Sequence, residues 1–291
     1  MKTQRETAGG MTFCMVGAGK VASQLAPALK EAGYKPLGVY SRSMEHAASL
    51  ASRIGTTGVD RITALPAGAD IYLIAVKDDA IACVAAELAP HVASGGGRAV
   101  MVHTSGSTPL SVLSTTGARC GVMYPLYSFT ADYRQDVGDV PFFIEASDAD
   151  VQRLLLAVAG SISRRPVTVM DSATRRSMHL AAVFASNFPN RCYAIAEKIM
   201  RSSGVPFDLM LPLIMNTARK VERISPLEAQ TGPAVRYDRK VIAAHEQMLS
   251  GDDLDVYETL TRSIHDAAVE NENNSEHNDK LRPNENQGDS L

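Results

Sequence analysis

The run from Met11 to Ala22 (MTFCMVGAGKVA) constrains this chain more than any other. An apolar stretch leads straight into Gly17-Ala18-Gly19-Lys20-Val21-Ala22, and an amphipathic pattern follows over Val21–Glu31. Glycines spaced G-x-G-x-x-[G/A] between a buried strand and a helix fit a tight strand-to-helix turn that faces a dinucleotide. Gly17 permits the turn, Gly19 lets the backbone approach a pyrophosphate, and Ala22 lets the helix pack close to the sheet. The helix N-terminus then offers unpaired N–H groups to phosphate oxygens. The plain alternative is a glycine turn that binds nothing.

Six further apolar runs follow the same logic: 36–41, 71–76, 99–103, 121–125, 141–146 and 166–170. Several are apolar at nearly every position, as suits strands covered on both faces, and helical patterns lie between them. The expectation is an α/β protein, an N-terminal Rossmann-like doubly wound sheet followed by an all-α C-terminal domain. After Asp171 strand signals stop, and helical patterns run over about 172–203, 206–224, 238–250 and 253–269. The chain thus divides into a leader (1–10), a dinucleotide-binding domain (11–168), a helical domain for substrate and dimerisation (169–269) and an acidic tail (270–291). The tail carries six acids and two bases, too few apolar groups to offset ordering entropy, and is expected to be disordered.

Composition closes off other classes. Lys plus Arg is 29 against 32 Asp plus Glu, so no general nucleic-acid partner is expected. No uncharged apolar run reaches the ~18–20 residues of a membrane span, and the polar start lacks the apolar core of an export signal. A cytoplasmic protein without membrane contact is expected. Cys14, Cys83, Cys120 and Cys192 form no CxxC pair, so no metal site is expected and the thiols read as reduced small hydrophobes.

The end of the second strand selects the nucleotide. A site for NAD usually places Asp or Glu there, for the ribose hydroxyls. Here Ser41-Arg42-Ser43 stands instead, a guanidinium between two hydroxyls, suited to a 2′-phosphate. NADP, bound as NADPH, is therefore preferred over NAD, the alternative being that Arg42 is a solvated charge. Ligands sit at the carboxyl ends of strands in open α/β sheets, so Ala75, Val76 and Lys77 should border the cofactor, and Thr104 and Ser105 should reach the nicotinamide or substrate. Asp78 and Asp79 read best as helix N-caps. His103 is either a proton donor or a core histidine bonded to backbone.

The segments GAGKVA (17–22), YSRS (40–43), AVKDDAI (75–81), HTSGS (103–107), YPLYSF (124–129), PFFIEA (141–146), RSMHLAAVFASNFPN (176–190), PLI (212–214) and AQTGPAVRYD (229–238) together resemble a known family. It is the Rossmann-like NADP oxidoreductases with a C-terminal helical domain of unknown function. The resemblance spans Met11 to about Ile264 and departs at Tyr237, where it implies glycine. More distantly the chain is similar to pyrroline-5-carboxylate and ketopantoate reductases and β-hydroxyacid dehydrogenases. It implies the fold and the cofactor class but no substrate. Ketopantoate reductases and β-hydroxyacid dehydrogenases place a Lys and an Asn one turn apart on the first long helix; the positions one turn apart here are His179, Val183 and Asn187, with no lysine among them, so their mechanism does not carry over.

On a regular helix Arg176, His179, Asn187 and Asn190 share a stripe about 80° wide. Polar groups on an otherwise apolar helix need partners, which a substrate, the nicotinamide or neighbouring helices could supply. Pro189 should kink that helix. Lys220 reads as a helix C-terminal charge or, with Arg236, as a carboxylate clamp; Arg236 and Asp238 could equally pair with each other. Gln230 and Thr231 stand in a Thr-Gly-Pro turn with backbone donors to offer. Two functions compete. One is an NADP(H)-dependent oxidoreductase for a small carbonyl, imine or hydroxy acid, with His179 or Lys220 as proton donor, Asn187 orienting, His103 the runner-up, and Asn190, Gln230, Thr231 and Arg236 binding substrate. The other is a non-catalytic NADP(H)-binding sensor or scaffold. The apolar run 206–218 suggests more surface than a short helical domain can bury, so a homodimer is expected.

Overall fold

A computed structural model describes residues 10–94, 98–130 and 134–281. The strands are β1 (Thr12–Val16), β2 (Lys35–Tyr40), β3 (Thr57–Val59), β4 (Ile71–Ile74), β5 (Val100–His103), β6 (Arg119–Pro125), β7 (Phe142–Ala146) and β8 (Val167–Val169). The helices are α1 (Lys20–Glu31), α2 (Met44–Ile54), α3 (Ile81–Ser94), α4 (Ser111–Ser114), α5 (Ala149–Ile162), α6 (Ser172–Ala182), α7 (Phe188–Ser202), α8 (Leu211–Lys220), α9 (Pro226–Ala229), α10 (Arg239–Glu246) and α11 (Asp252–Leu281).

One sheet holds all eight strands in the order β3-β2-β1-β4-β5-β6-β7-β8. Pairing is parallel throughout except between β6 and β7. The first six strands have the Rossmann order, in which the chain reverses its direction of winding between β1 and β4. Period-2 alternation explains how one strand serves two cores: Phe13 and Met15 of β1 face α1, α2 and α5, whereas Cys14 and Val16 face α3 and α4. Burial pushes the Cys14 thiol up to about 12, which makes it a small hydrophobe. β3 escaped the sequence reading because three residues, one of them glycine, are too short for a periodic signal.

Among the described residues beyond β8 every element is a helix. The chain divides into two compact units at Pro189/Asn190, some twenty residues past the change from strands to helices. The reason α6 belongs to the first unit is a buried ion pair. Arg175 is fully buried and pairs with Glu145 of β7, and its other terminal nitrogen donates to the Thr108 carbonyl at 2.5 Å. Ser172 donates to the same carboxylate at 2.7 Å and accepts the Leu110 N–H at 3.0 Å. Two residues of the first turns of α6 are thereby tied to β7 and to the segment after β5.

The long regular helix expected over 172–203 is interrupted. Val183–Asn187 forms a π turn, in which Phe188 N–H reaches the Val183 carbonyl. Pro189 has no N–H for the Ala185 carbonyl, and its ring would crowd that carbonyl. Widening the preceding turn accommodates both, so a π turn stands where a kink was expected. α11 continues through Leu281, into the segment expected to be disordered, and 282–291 lie outside the described residues, as do 1–9 of the leader. Extending an existing helix needs no new nucleus, which favours helix over a polar stretch that follows one. Among the described residues no helix is long and apolar enough to cross a membrane.

Removing Arg175 leaves the half-buried Glu145 carboxylate, still held by Ser172, without its cation; for a fully buried pair such a loss costs about 3–5 kcal/mol, which is the upper bound here. Arg175→Leu should therefore lower the urea midpoint by up to that equivalent. A midpoint within experimental error of wild type would show that the pair does not hold α6.

Candidate dinucleotide site and a tyrosine–histidine pair

The register levels the strand ends. Val16 pairs with Tyr40 and with Ile74, and Ile74 with His103, so the segments 17–21, 41–43, 75–77 and 104–105 leave the sheet along one edge. Gly17 sits at the reversal point with φ +119°, and a Cβ there would stand 2.5 Å from the Ala75 carbonyl oxygen. The loops after β1 and β4 are thus in contact, and only glycine fits. Gly17 N–H also donates to the Tyr40 carbonyl at 2.8 Å. Gly19 is different: a Cβ there would meet nothing within 4 Å. Nothing in the protein's packing demands glycine at 19, which leaves the close approach of an outside group as its use. Gly19 caps α1 without a side-chain hydrogen bond, so the first turn keeps unpaired N–H donors, with Ala18 and Val21 half-buried and Lys20 exposed beside it. Ala22 is fully buried.

At the end of β2, Arg42 is exposed and its guanidinium makes no hydrogen bond or ion pair among the described residues. Ser43 accepts the His46 N–H at 3.3 Å as N-cap of α2, and Ser41 accepts the Ser43 N–H at 3.3 Å. Both hydroxyls act as acceptors, so each keeps its own proton to donate to an anion beside Arg42. Ala75 is buried, Val76 half-buried and Lys77 exposed. Asp78 is not the helix cap read from the sequence: its carboxylate accepts the Ser107 hydroxyl from the loop after β5. That loop is a knot of short-range bonds, with Ser105 Oγ accepting the N–H groups of Ser107 (3.2 Å) and Thr108 (3.0 Å). Thr104 N–H donates to the Ile74 carbonyl at 3.2 Å. Thr104 and Ser105 are both buried, so their hydroxyls organise this edge.

His103 lies in the core of the sheet. It is fully buried, its Nδ1 accepts the Ser105 N–H at 3.2 Å, and Nε2 has no hydrogen-bond partner. The Pro109 backbone favours the protonated ring, less than burial and Arg175 oppose it. Burial first, then the charge of Arg175, lowers its pKa from 6.5 to about 4. A buried ring bonded to backbone and held neutral fits the second of the two readings given for this position, a core histidine, better than that of a proton donor.

His179 occupies the more open position. It lies two turns into α6, half-buried, with Nδ1 3.1 Å from the Tyr124 hydroxyl, and the two rings meet edge-on with centroids 5.9 Å apart. A Cβ on Gly106 would stand 2.7 Å from His179 Nδ1 and 2.8 Å from Tyr124 Cζ, so the glycine is the floor on which both rings rest. Tyr124 and Gly106 were not among the candidate residues. Their signal lies in three distant segments, and only the fold brings these together. Asn187, in the π turn, is exposed and makes no hydrogen bond among the described residues. The extra residue of that turn also breaks the regular stripe through Arg176, His179, Asn187 and Asn190.

The remaining candidates belong to the second unit. Asn190 is exposed; Lys220 ends α8; Gln230 donates to the Thr231 carbonyl at 3.2 Å; Arg236 is exposed. Asp238 caps α10 by accepting the Val241 N–H at 3.3 Å and forms no ion pair with Arg236. Among the described residues no group of three or more His, Cys, Asp or Glu is placed to hold a metal ion.

This arrangement has relatives. Residues 4–126 match the Rossmann-like domain, and residues 140–264 match DUF2520, a domain of unknown function. The putative NADP oxidoreductase of Bacteroides fragilis shares 40% identity, covers 88% of this chain and 98% of its own, and superposes with a TM-score of 0.83. The chain belongs to this family, which joins a Rossmann-like domain to a DUF2520 domain. Two more distant structures share the fold. A reductive aminase from Aspergillus terreus, in complex with NADPH and ethyl-5-oxohexanoate, has 17% identity, coverage of 89% and 94%, and a TM-score of 0.61. A pyrroline-5-carboxylate reductase from Coxiella burnetii has 15% identity, coverage of 89% and 97%, and a TM-score of 0.54. No curated protein sequence matches the chain.

The depressed pKa of His103 has a definite sign. The unfolded ring takes up a proton near pH 6.5 and the folded one only near 4, so the folded state gives up stability as pH falls through that window, by up to about 3 kcal/mol, and keeps it in full above. Carboxylates with lowered pKa, such as Asp171 and Asp253, lose theirs only below about 3.8. Urea midpoints from pH 7.5 to 4.5 should fall less steeply for His103→Gln than for wild type; parallel profiles would contradict a neutral buried ring.

Proposed function

We propose that this chain is an NADP(H)-dependent oxidoreductase that moves a hydride to or from a small carbonyl, imine or hydroxy-acid metabolite. One observation carries the reading: an uncapped, unobstructed helix start at Gly19 lies along the same edge as an unpaired Arg42 between two hydroxyls, with no carboxylate in the sequence there. The relative named as an NADP oxidoreductase supports the same cofactor class. In the proposed complex the α1 N–H groups receive the diphosphate, Arg42 with Ser41 and Ser43 receives the 2′-phosphate, and Ala75, Val76, Lys77, Thr104 and Ser105 border the nicotinamide half. The bound nicotinamide supplies or accepts the hydride. His179 or Lys220 holds the proton that balances it, Asn187 orients the acceptor, and Asn190, Gln230, Thr231 and Arg236 contact substrate; His103, neutral and enclosed, is withdrawn from that role.

Calorimetry tests the cofactor assignment. Arg42→Ala should weaken NADPH binding by about 1–3 kcal/mol, the range for a charge-assisted contact, and leave NADH nearly unchanged. Equal losses for both nucleotides would remove the 2′-phosphate assignment.

A homodimer is part of the proposal. The second unit exposes Leu209 (65%), Leu213 (60%) and Met248 (73%), together with Leu211, Met215, Val221 and Ile224. So many large apolar side chains in water are costly, and a second copy is the simplest cover. Light scattering at micromolar concentration should give twice the chain mass of 31.1 kDa; a strictly monomeric mass would refute it.

A further inference from the structure

Tyr124 is only 8% exposed, and its hydroxyl has one hydrogen-bond partner among the described residues, Nδ1 of His179. Two placements of the shared proton are open to a neutral imidazole. If Nδ1 carried it, the phenol would accept, and the phenol's own proton would be left in the interior with no acceptor. If the phenol donates, its proton and the Nδ1 lone pair are both satisfied. The second placement loses no hydrogen bond, so the first is disfavoured. It leaves the ring proton on Nε2, which has no partner among the described residues and keeps solvent contact. Burial, and then the nearby Asp78 carboxylate, raise the Tyr124 pKa, so the phenol remains a donor through the neutral range. Two constraints fix the pair in place. Gly106 supports both rings from below, and Arg175, one turn before His179, anchors α6.

We infer that Tyr124 is a positioning residue for His179: by donating to Nδ1 it fixes the imidazole in its Nε2–H form and aims one N–H donor at the oxygen of a carbonyl or hydroxyl ligand. This rests on the oxidoreductase reading and narrows its substrate class. A carbonyl or hydroxyl oxygen has a lone pair for that donor. A protonated imine has none at the reacting nitrogen, so the site selects oxygen acceptors over iminium ions.

The test uses the full chain labelled with ¹⁵N-histidine, with His179 assigned by the signal lost in His179→Gln. At a pH where the imidazoles are neutral, wild type should show Nε2 protonated and Nδ1 bare, and the bridging proton should lack one-bond ¹⁵N splitting. In Tyr124→Phe both ring nitrogens should shift toward the two-tautomer average of free imidazole. A one-bond splitting at Nδ1 in wild type, which needs no variant to fold, would overturn the inference, as would unchanged shifts in a folded Tyr124→Phe. With NADP⁺ present, acetone or pyruvate should move the Nε2 resonance and N-methyl-1-pyrrolinium, a permanent iminium ion, should not. Movement by the iminium probe, alone or with the others, or by none of the three probes, would refute the assigned ligand class. NADPH binding should stay within twofold of wild type in Tyr124→Phe. If wild type itself binds no NADPH, the oxidoreductase reading fails while the tautomer result stands by itself.

Discussion

The buried pair between Arg175 and Glu145 is the contact on which the candidate site depends. Taking Arg175 fully and Glu145 largely out of water costs several kcal/mol, so such a pair yields little net stability. What it yields is position. Arg175 also reaches the Thr108 carbonyl, and Ser172 reaches the Leu110 N–H and the same carboxylate. Strand β7, the loop after β5 and the start of α6 therefore share one hydrogen-bonded centre. His179, four residues beyond Arg175, inherits its place over Gly106 from that centre. The same guanidinium is a cause of the low pKa of His103, so one buried cation orders α6 and keeps the neighbouring core imidazole neutral.

The two histidines show how position decides chemistry. His103 and His179 were both candidate proton donors, His103 the runner-up, both near the carboxyl ends of strands or facing them. His103 ends β5 inside the sheet, where a charge has no water and a positive neighbour. His179 stands on a helix at the rim, with one nitrogen engaged by a phenol. Sequence pattern alone carries no information on that distinction, because the nearby charge, Arg175, stands 72 positions from His103.

What was legible follows from the range of the signal. Strand periodicity and the 17–22 fingerprint are local, and seven of the eight strands fall on the runs read from the sequence. The role of Gly17 was legible for the same reason, although its direct cause, the Ala75 carbonyl, is a long-range contact. Gly106 shows the limit. It sits in a polar Thr-Ser-Gly-Ser stretch that reads as a loop. Its necessity appears only when β6 and α6 bring Tyr124 and His179 against it. The π turn was half legible: Pro189 announced a disturbance, but a kink and a widened turn both answer a missing N–H, and the residue type does not choose between them.

Tyr237 closes the comparison, because the family resemblance implies glycine there. Its φ is +49°, the left-handed region, where a side chain costs roughly 1–2 kcal/mol. Glycine would avoid that cost. The tyrosine recovers it through its ring, which stacks on His265 with centroids 4.4 Å apart and receives the Arg239 guanidinium at 5.5 Å. Stacking and cation–π contacts contribute about 0.5–1.5 and 0.5–1 kcal/mol, enough together to offset the backbone term. The backbone path is held in any case by Tyr237 N–H to the Ala234 carbonyl and Asp238 N–H to the Pro233 carbonyl, at 3.1 and 2.9 Å. The departure from the family pattern thus leaves the turn's conformation in place. It exchanges glycine's freedom for a ring that ties the turn to α11, and the segment carrying Thr231 and Arg236 gains an anchor that glycine could not give.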